Sequence, residues 1–262
     1  MSADEDFAPW LAATQASHAR LRNAVGSMSA DEVVSRSYDT EWSIAQVLSH
    51  LGSGAEIFSL FLRAGLAGEP APGPDAFGPI WEGWNNKTAA DQAADALVVD
   101  REFLDHVDSL DEATKRSWHL DMFGGEQDLR GLFRFRLGEH ALHTWDVVVV
   151  GDPSATVAGD AAALLIDTLD QLVARVGQAN GETFSVAVTT SDPERSLAVV
   201  SSGDAVELRA AHELAGAATE AVSLPAEAFI RLVYGRLDAE HTPEVTAPDG
   251  TLDLLRRTFP GF

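Results

Sequence analysis

The chain has 262 residues, enough for one large domain or two modest ones, and 45% of them are hydrophobic, which supports a sizeable core. Its formal charge of −23 sets nucleic acid and anionic membranes aside as partners, because such a surface repels both. Cysteine is absent, which excludes disulfides, a thiolate nucleophile and cysteine-ligated zinc, so any thiol chemistry must use a thiol from outside.

The opening MSADEDFAPW is acidic and lacks the basic-then-apolar order of a signal peptide. No apolar run approaches the roughly 18 residues of a membrane span. The expectation is a soluble cytoplasmic protein. Residues 4–27 read as an amphipathic helix, with Trp10, Thr14, His18, Leu21 and Val25 on one stripe. A second helix is predicted over 43–67, opened by an S-x-x-Q capping box at Ser43 and Gln46. Val47, His50, Leu51 and Gly54 fall on its inner face, so His50 points at the core. Residues 68–80 hold four prolines and three glycines and read as a loop of the kind that covers a site, with Trp81 and Trp84 after it. A third helix follows over 85–108; its register is loosely defined because alanine marks a face weakly. Residues 109–127 read as irregular, with a short extended piece at Ser117–Met122, and a fourth helix spans 128–150.

GDPSAT at 151–156 reads as a boundary. Beyond it come a helix over 159–177 and strands at Thr183–Thr190, Ser196–Ser201 and Ala205–Ala210, the last two joined by the turn SSGD. A helix at 225–236, a strand at 243–247 and a helix at 250–258 complete the pattern. The predicted architecture is multidomain: an all-α four-helix bundle over 1–150, then a small α+β domain over 151–262.

The fourth helix carries the chemistry, in LGEHALHTWDVVVV at 137–150. Glu139 and His143 are four apart and project from one helix face. Ionisable groups on an apolar face must be paired or ligated, and His50 on the second helix is the natural third ligand. Two imidazoles and a carboxylate suit Zn²⁺, and also Fe²⁺, Ni²⁺ or Mn²⁺, with a position left for water or substrate. Other arrangements remain open. His140 and His143 can ligate as H-x-x-H in place of Glu139. Each histidine can instead be a satisfied core residue, with Glu139 paired to Arg136. Asp146 can fix the tautomer of His143 or lie on the surface. His18 is a fourth ligand or a buried structural histidine. Arg134, Arg136, Arg231 and Arg236 can clamp a carboxylate or form surface ion pairs.

EWSIAQVLSHLGSGAEIF and LGEHALHTWDVVV together resemble the mycothiol-dependent maleylpyruvate isomerase family. The first stretch is similar to its tryptophan-then-VLxHL pattern with His50 as the histidine. The second is similar to its E-x-x-x-H-x-x-D pattern, at Glu139, His143 and Asp146. LPAEAFIRLVYGR is similar to the sterol-carrier-protein-like domain of the same architecture. The resemblance implies a DinB-like metal-binding bundle with ligands His50, Glu139 and His143, most simply for Zn²⁺, and mycothiol as thiol cosubstrate. A small electrophile would be the other partner, in an S-transferase or a thiol-assisted isomerase. Arg236, reaching from the second domain, and His140 are the expected catalytic residues. Arg136 and Trp84 are the expected contacts to the thiol. Two alternatives stand beside this: a metal-dependent hydrolase with bound water as nucleophile, and a non-catalytic small-molecule-binding protein.

Overall fold

The computed structural model describes residues 7–39, 41–214, 216 and 218–261. The chain divides into two compact units, Met1–Ala155 and Thr156–Phe262. The first is helical and the second mixes helices with a sheet.

The first unit holds the four long helices. These are α1 (Ala8–Val25), α3 (Ile44–Ala67), α5 (Ala89–Asp108) and α7 (Leu129–Val148), with a short α2 (Ala30–Val33) between the first two. Residues 4–6 of the predicted first helix lie outside the described residues. The capping box of α3 forms as its residues dictate: Ser43 Oγ accepts from the Gln46 amide at 3.2 Å, and Gln46 Oε1 accepts from the Ser43 amide at 2.8 Å. Such a cap is worth about 1 kcal/mol. Asp128 caps α7 by accepting from the Gly131 amide at 2.7 Å. α3 lies chiefly along α5, and α7 chiefly along α1.

The connections depart from expectation. The proline-rich stretch is only partly a loop: it closes in a 3-10 turn at Pro74–Ala76 and a helix α4 (Gly78–Asn85). Prolines at the first turns suit helix starts, where an amide donor is spare. α4 lays Trp84 against α3 at Gly52, where even a Cβ would come within 2.2 Å of the indole ring. The irregular 109–127 contains a helix α6 (Glu112–Ser117) and a hairpin, β1 (His119–Met122) with β2 (Gly125–Asp128). Phe123 and Gly124 turn it with φ of 54° and 89°, the left-handed pair that a two-residue hairpin loop requires.

In the second unit the predicted helix at 159–177 is broken into α8 (Gly159–Leu165), a 3-10 turn at Ile166–Thr168 and α9 (Asp170–Val176). The Thr168 hydroxyl donates to the Leu165 carbonyl at 3.0 Å, a local bond that competes with helix continuation. Four strands follow: β3 (Thr183–Ser191), β4 (Arg195–Ser202), β5 (Val206–Ala210) and β6 (Glu220–Pro225), in the order β5-β4-β3-β6. β6 runs parallel to β3 and was not predicted, while the expected strand at 243–247 amounts to one bridge, Ser223 with Thr246. α10 (Ala226–Val233) and α11 (Thr251–Thr258) complete the unit. On α10 the buried Glu227 and Arg231 pair through two bonds of 2.8 and 2.9 Å.

Candidate metal centre

Almost every side chain of α7 from Arg136 to Val147 is buried. A helix buried all round is ordinarily apolar, yet this one carries Arg136, His140, His143 and Asp146, and each has found a partner. Those partners fall into two clusters.

The first joins α3 to α7. Nε2 of His50 lies 2.9 Å from Oε2 of Glu139, and Nε2 of His143 lies 3.6 Å from the same oxygen. One ligand atom from each of the three residues lies within 4.8 Å of the others. The His50 and Glu139 side chains keep 38% and 42% of their surface exposed, so the cluster opens to solvent. Burial works against a charged Glu139, but hydrogen bonds from His143 and His50 outweigh it and hold the carboxyl well below the usual carboxylate range. For His143 burial opposes the protonated ring, and the bonds to Asp146 and Glu139 overcome it, so its pKa is raised. Nδ1 of His143 meets Oδ2 of the fully buried Asp146 at 2.8 Å. With Asp146 ionised, Nδ1 carries the proton, and Nε2 turns its lone pair toward Glu139 and His50 when the ring is neutral. The Trp42 ring walls the cluster, stacked at 6.0 Å on His143 and tilted at 5.2 Å against His50. Two imidazole nitrogens and a carboxylate converging from facing helices, with one side open, fit a divalent cation with a free coordination position.

The second cluster is closed. Asp100 of α5 is 3% exposed; its Oδ2 lies 2.7 Å from Nδ1 of His18 and 3.0 Å from Nε2 of His140, and its Oδ1 accepts from Arg136. Burial resists the Asp100 charge, but the Arg136 guanidinium and then His140 and His18 outweigh it, holding this carboxyl well below its ordinary value. Burial and the Arg136 charge push the His140 pKa down despite Asp100, which favours the neutral ring. An ionised Asp100 can only accept, so both rings point N–H bonds at it. Nδ1 of His140 then accepts from Ser17 Oγ, at 2.9 Å, or Thr144 Oγ1, at 3.2 Å. Although a carboxylate and two imidazoles meet here too, Arg136 already neutralises the carboxylate.

The structure thus brings His50, Glu139 and His143 together with Asp146 behind them. It sends His140 and Arg136 to the other cluster, where their exposures of 0% and 1% keep them from any molecule arriving at the open one. Trp84 is buried on Gly52 and donates to Glu56 Oε1 at 2.9 Å. Arg236 lies in the second unit, where its Nη1 donates to the Tyr234 carbonyl at 2.9 Å. Sequence reasoning missed Asp100. The one available signal was a polar residue on the inner face of 85–108, which alanines had blurred.

The sequence profile of the mycothiol maleylpyruvate isomerase N-terminal domain matches residues 14–148. The chain belongs to this family. Membership places it among enzymes of the isomerase type. Two solved structures share its fold, each over 92% of both chains with a TM-score of 0.64. One is a mycothiol-dependent maleylpyruvate isomerase at 15% identity, the other a point mutant of a mycothiol-dependent maleylpyruvate isomerase at 14%. No curated protein matches the chain. Among the described residues, no helix is long and apolar enough to cross a membrane.

Proposed function

We propose that the protein is a metal-dependent enzyme that uses mycothiol against a small electrophile. The favoured reaction is isomerisation: the sulfur adds to an activated double bond, the resulting single bond rotates, and the thiol leaves. S-transfer, in which the thiol stays attached, is the second reading. The observation that carries the proposal is the convergence of His50 and His143 on Glu139 at a partly exposed position, with Asp146 orienting His143. In this reading the first unit is a DinB-like bundle and the second a sterol-carrier-protein-like domain.

A bound divalent cation, Zn²⁺ in the simplest case, lowers the pKa of a thiol that coordinates it. The chain's own residues do the rest. Asp146 holds the Nδ1 proton of His143 and so directs Nε2 into the site. Glu139 is held ionised by its two histidines and contributes negative charge without waiting for a proton to leave. Trp42 covers one side of both rings and limits water there. The absence of cysteine in the chain agrees with a borrowed thiol. We assign no substrate contact to His140, Arg136 or Trp84, whose partners lie inside the fold; Arg236 remains the proposed clamp for a substrate carboxylate.

Metal analysis of protein purified without added metal, beside His50→Ala and Glu139→Ala, tests the centre. Both variants are expected to fall to background, and unchanged content in both overturns the reading. Turnover of an activated alkene with and without mycothiol then tests the thiol. Equal rates would point to water as the nucleophile.

A further inference from the structure

We propose that the buried Arg136–Asp100 pair is a positioning device for the metal centre, fixing the separation and rotation of the two helices that carry the ligands. The inference rests on the metal-centre reading above. His50 stands on α3, and Glu139 and His143 on α7, so the three converge only in one placement of these helices. Neither helix has the other as its principal neighbour, since α3 lies along α5 and α7 along α1. Their mutual placement therefore depends on specific bonds between them.

Arg136 supplies one at the right level. It lies three residues before Glu139 on α7, and its Nη2 donates at 3.1 Å to the carbonyl of Leu51, the residue after His50. The same nitrogen donates to Asp100 on α5. α3 is shaped to receive it: a Cβ on Gly54 would lie 3.1 Å from Nη1 of Arg136. Through its other oxygen Asp100 holds His18 of α1 and His140 of α7, the residue after Glu139. All four long helices are thus tied at one point, directly beside two of the three ligands.

Stability alone is a poor account of this arrangement. A buried ion pair is often no more stabilising than apolar residues of the same volume. Here it also leaves Arg136 Nε as the one buried side-chain nitrogen or oxygen, among the described residues, without a hydrogen-bond partner. What an apolar pair could not do is reach the Leu51 carbonyl and set its distance from α7.

The test uses metal-free full-length protein, with Zn²⁺ affinity measured by chelator competition and Co²⁺ absorption as a readout of ligand geometry. The double variant Asp100→Asn/Arg136→Met removes both charges and keeps an amide oxygen to accept from His18 and His140, so it is expected to fold. It should bind Zn²⁺ about tenfold more weakly or worse, as supporting groups around metal sites commonly do when lost, and shift the Co²⁺ bands. Arg136→Lys keeps the charge but not the planar fork and should fall between it and the parent. Trp118→Phe, a core change at the C-terminal end of α3, where the indole packs on Gly65 and donates to the Leu62 carbonyl, should keep parental affinity. Affinity of the double variant within about twofold of the parent, or an equal loss in Trp118→Phe, overturns the proposal. If the double variant does not fold, parental affinity in Arg136→Lys overturns it instead. A parent that binds no Zn²⁺ overturns the metal reading itself, which is a separate outcome.

Discussion

Glu139 and Asp100 each lie between two histidine rings at similar distances, 2.9 and 3.6 Å for the first, 2.7 and 3.0 Å for the second. Both carboxyls are held well below the usual range. They differ in water and in a third partner. Glu139 is 42% exposed and its ion-pair partners are the two histidines, whereas Asp100 is sealed and bonded to Arg136. A divalent cation beside Asp100 would meet the guanidinium in a low-dielectric interior, where like charges repel strongly. Beside Glu139 it would meet only a carboxylate and two imidazoles. A metal-ligating donor set is therefore defined as much by what already neutralises it as by the donors themselves.

The largest test of this contrast is energetic. Asp100→Ala leaves Arg136 charged and unpaired in the core, and breaking a buried pair in this way costs about 3–5 kcal/mol. Glu139→Ala in the metal-free protein removes a partly exposed partner of two histidines and should cost less than about 1 kcal/mol. Urea denaturation of the two variants without metal measures both. Similar losses would show that the clusters are structurally equivalent, and the contrast would fail.

The open cluster was legible in part: Glu139 and His143 share a face by helical period and His50 falls on the inner face of its helix, but spacing alone left His140 as a rival ligand, and the resemblance of the two motifs to the family favoured Glu139. The sealed cluster was not legible. It is made by Asp100 meeting three residues from two other helices, and nothing within α5 marks one aspartate among several. Arg136 read as a surface or substrate arginine because long-range burial of a cation leaves no periodic trace. The same limit applies to β6, whose parallel pairing with β3 joins segments that no turn connects. The start of α3, by contrast, was legible in the Ser43–Gln46 box, whereas α5 begins at Ala89 behind a Thr88 cap, later than the predicted start at 85, which falls in α4.

Titration offers a test of intermediate size, and the two clusters should respond with opposite signs. His143 has a raised pKa, so its protonated form stabilises the metal-free fold below about pH 6.5, and that contribution is lost as pH rises through the folded value. His140 has a lowered pKa, so its contribution is present above about pH 6.5 and is lost as pH falls through the folded value. Nitrogen-detected histidine spectra of the metal-free protein across this range should show His143 titrating above the ordinary value and His140 below it. The reverse order would break the assignment of the open and sealed roles. Because a metal competes with the proton on His143, affinity for Zn²⁺ should also rise with pH through that upper transition.

The smallest expected effect concerns redundancy inside the sealed cluster. With its Nε2 proton directed at Asp100, His140 presents Nδ1 as an acceptor, and two hydroxyls compete to fill it: Ser17 at 2.9 Å and Thr144 at 3.2 Å, themselves 3.3 Å apart. Ser17→Ala should therefore cost little, at the low end of about 0.5–1.5 kcal/mol, because Thr144 remains to donate. Ser17→Ala/Thr144→Val leaves Nδ1 buried with no donor and should cost about 1–3 kcal/mol beyond the packing change. The excess over the sum of the single variants is the signature of a shared acceptor, and it is read from a double-mutant cycle in urea. If Ser17→Ala alone costs as much as the pair, the hydroxyls are not interchangeable and His140 depends on one of them. His143 has no such reserve, since Asp146 is the one partner of its Nδ1 among the described residues. The ring of the open cluster is held by a single acceptor, while the ring of the sealed cluster is offered two donors.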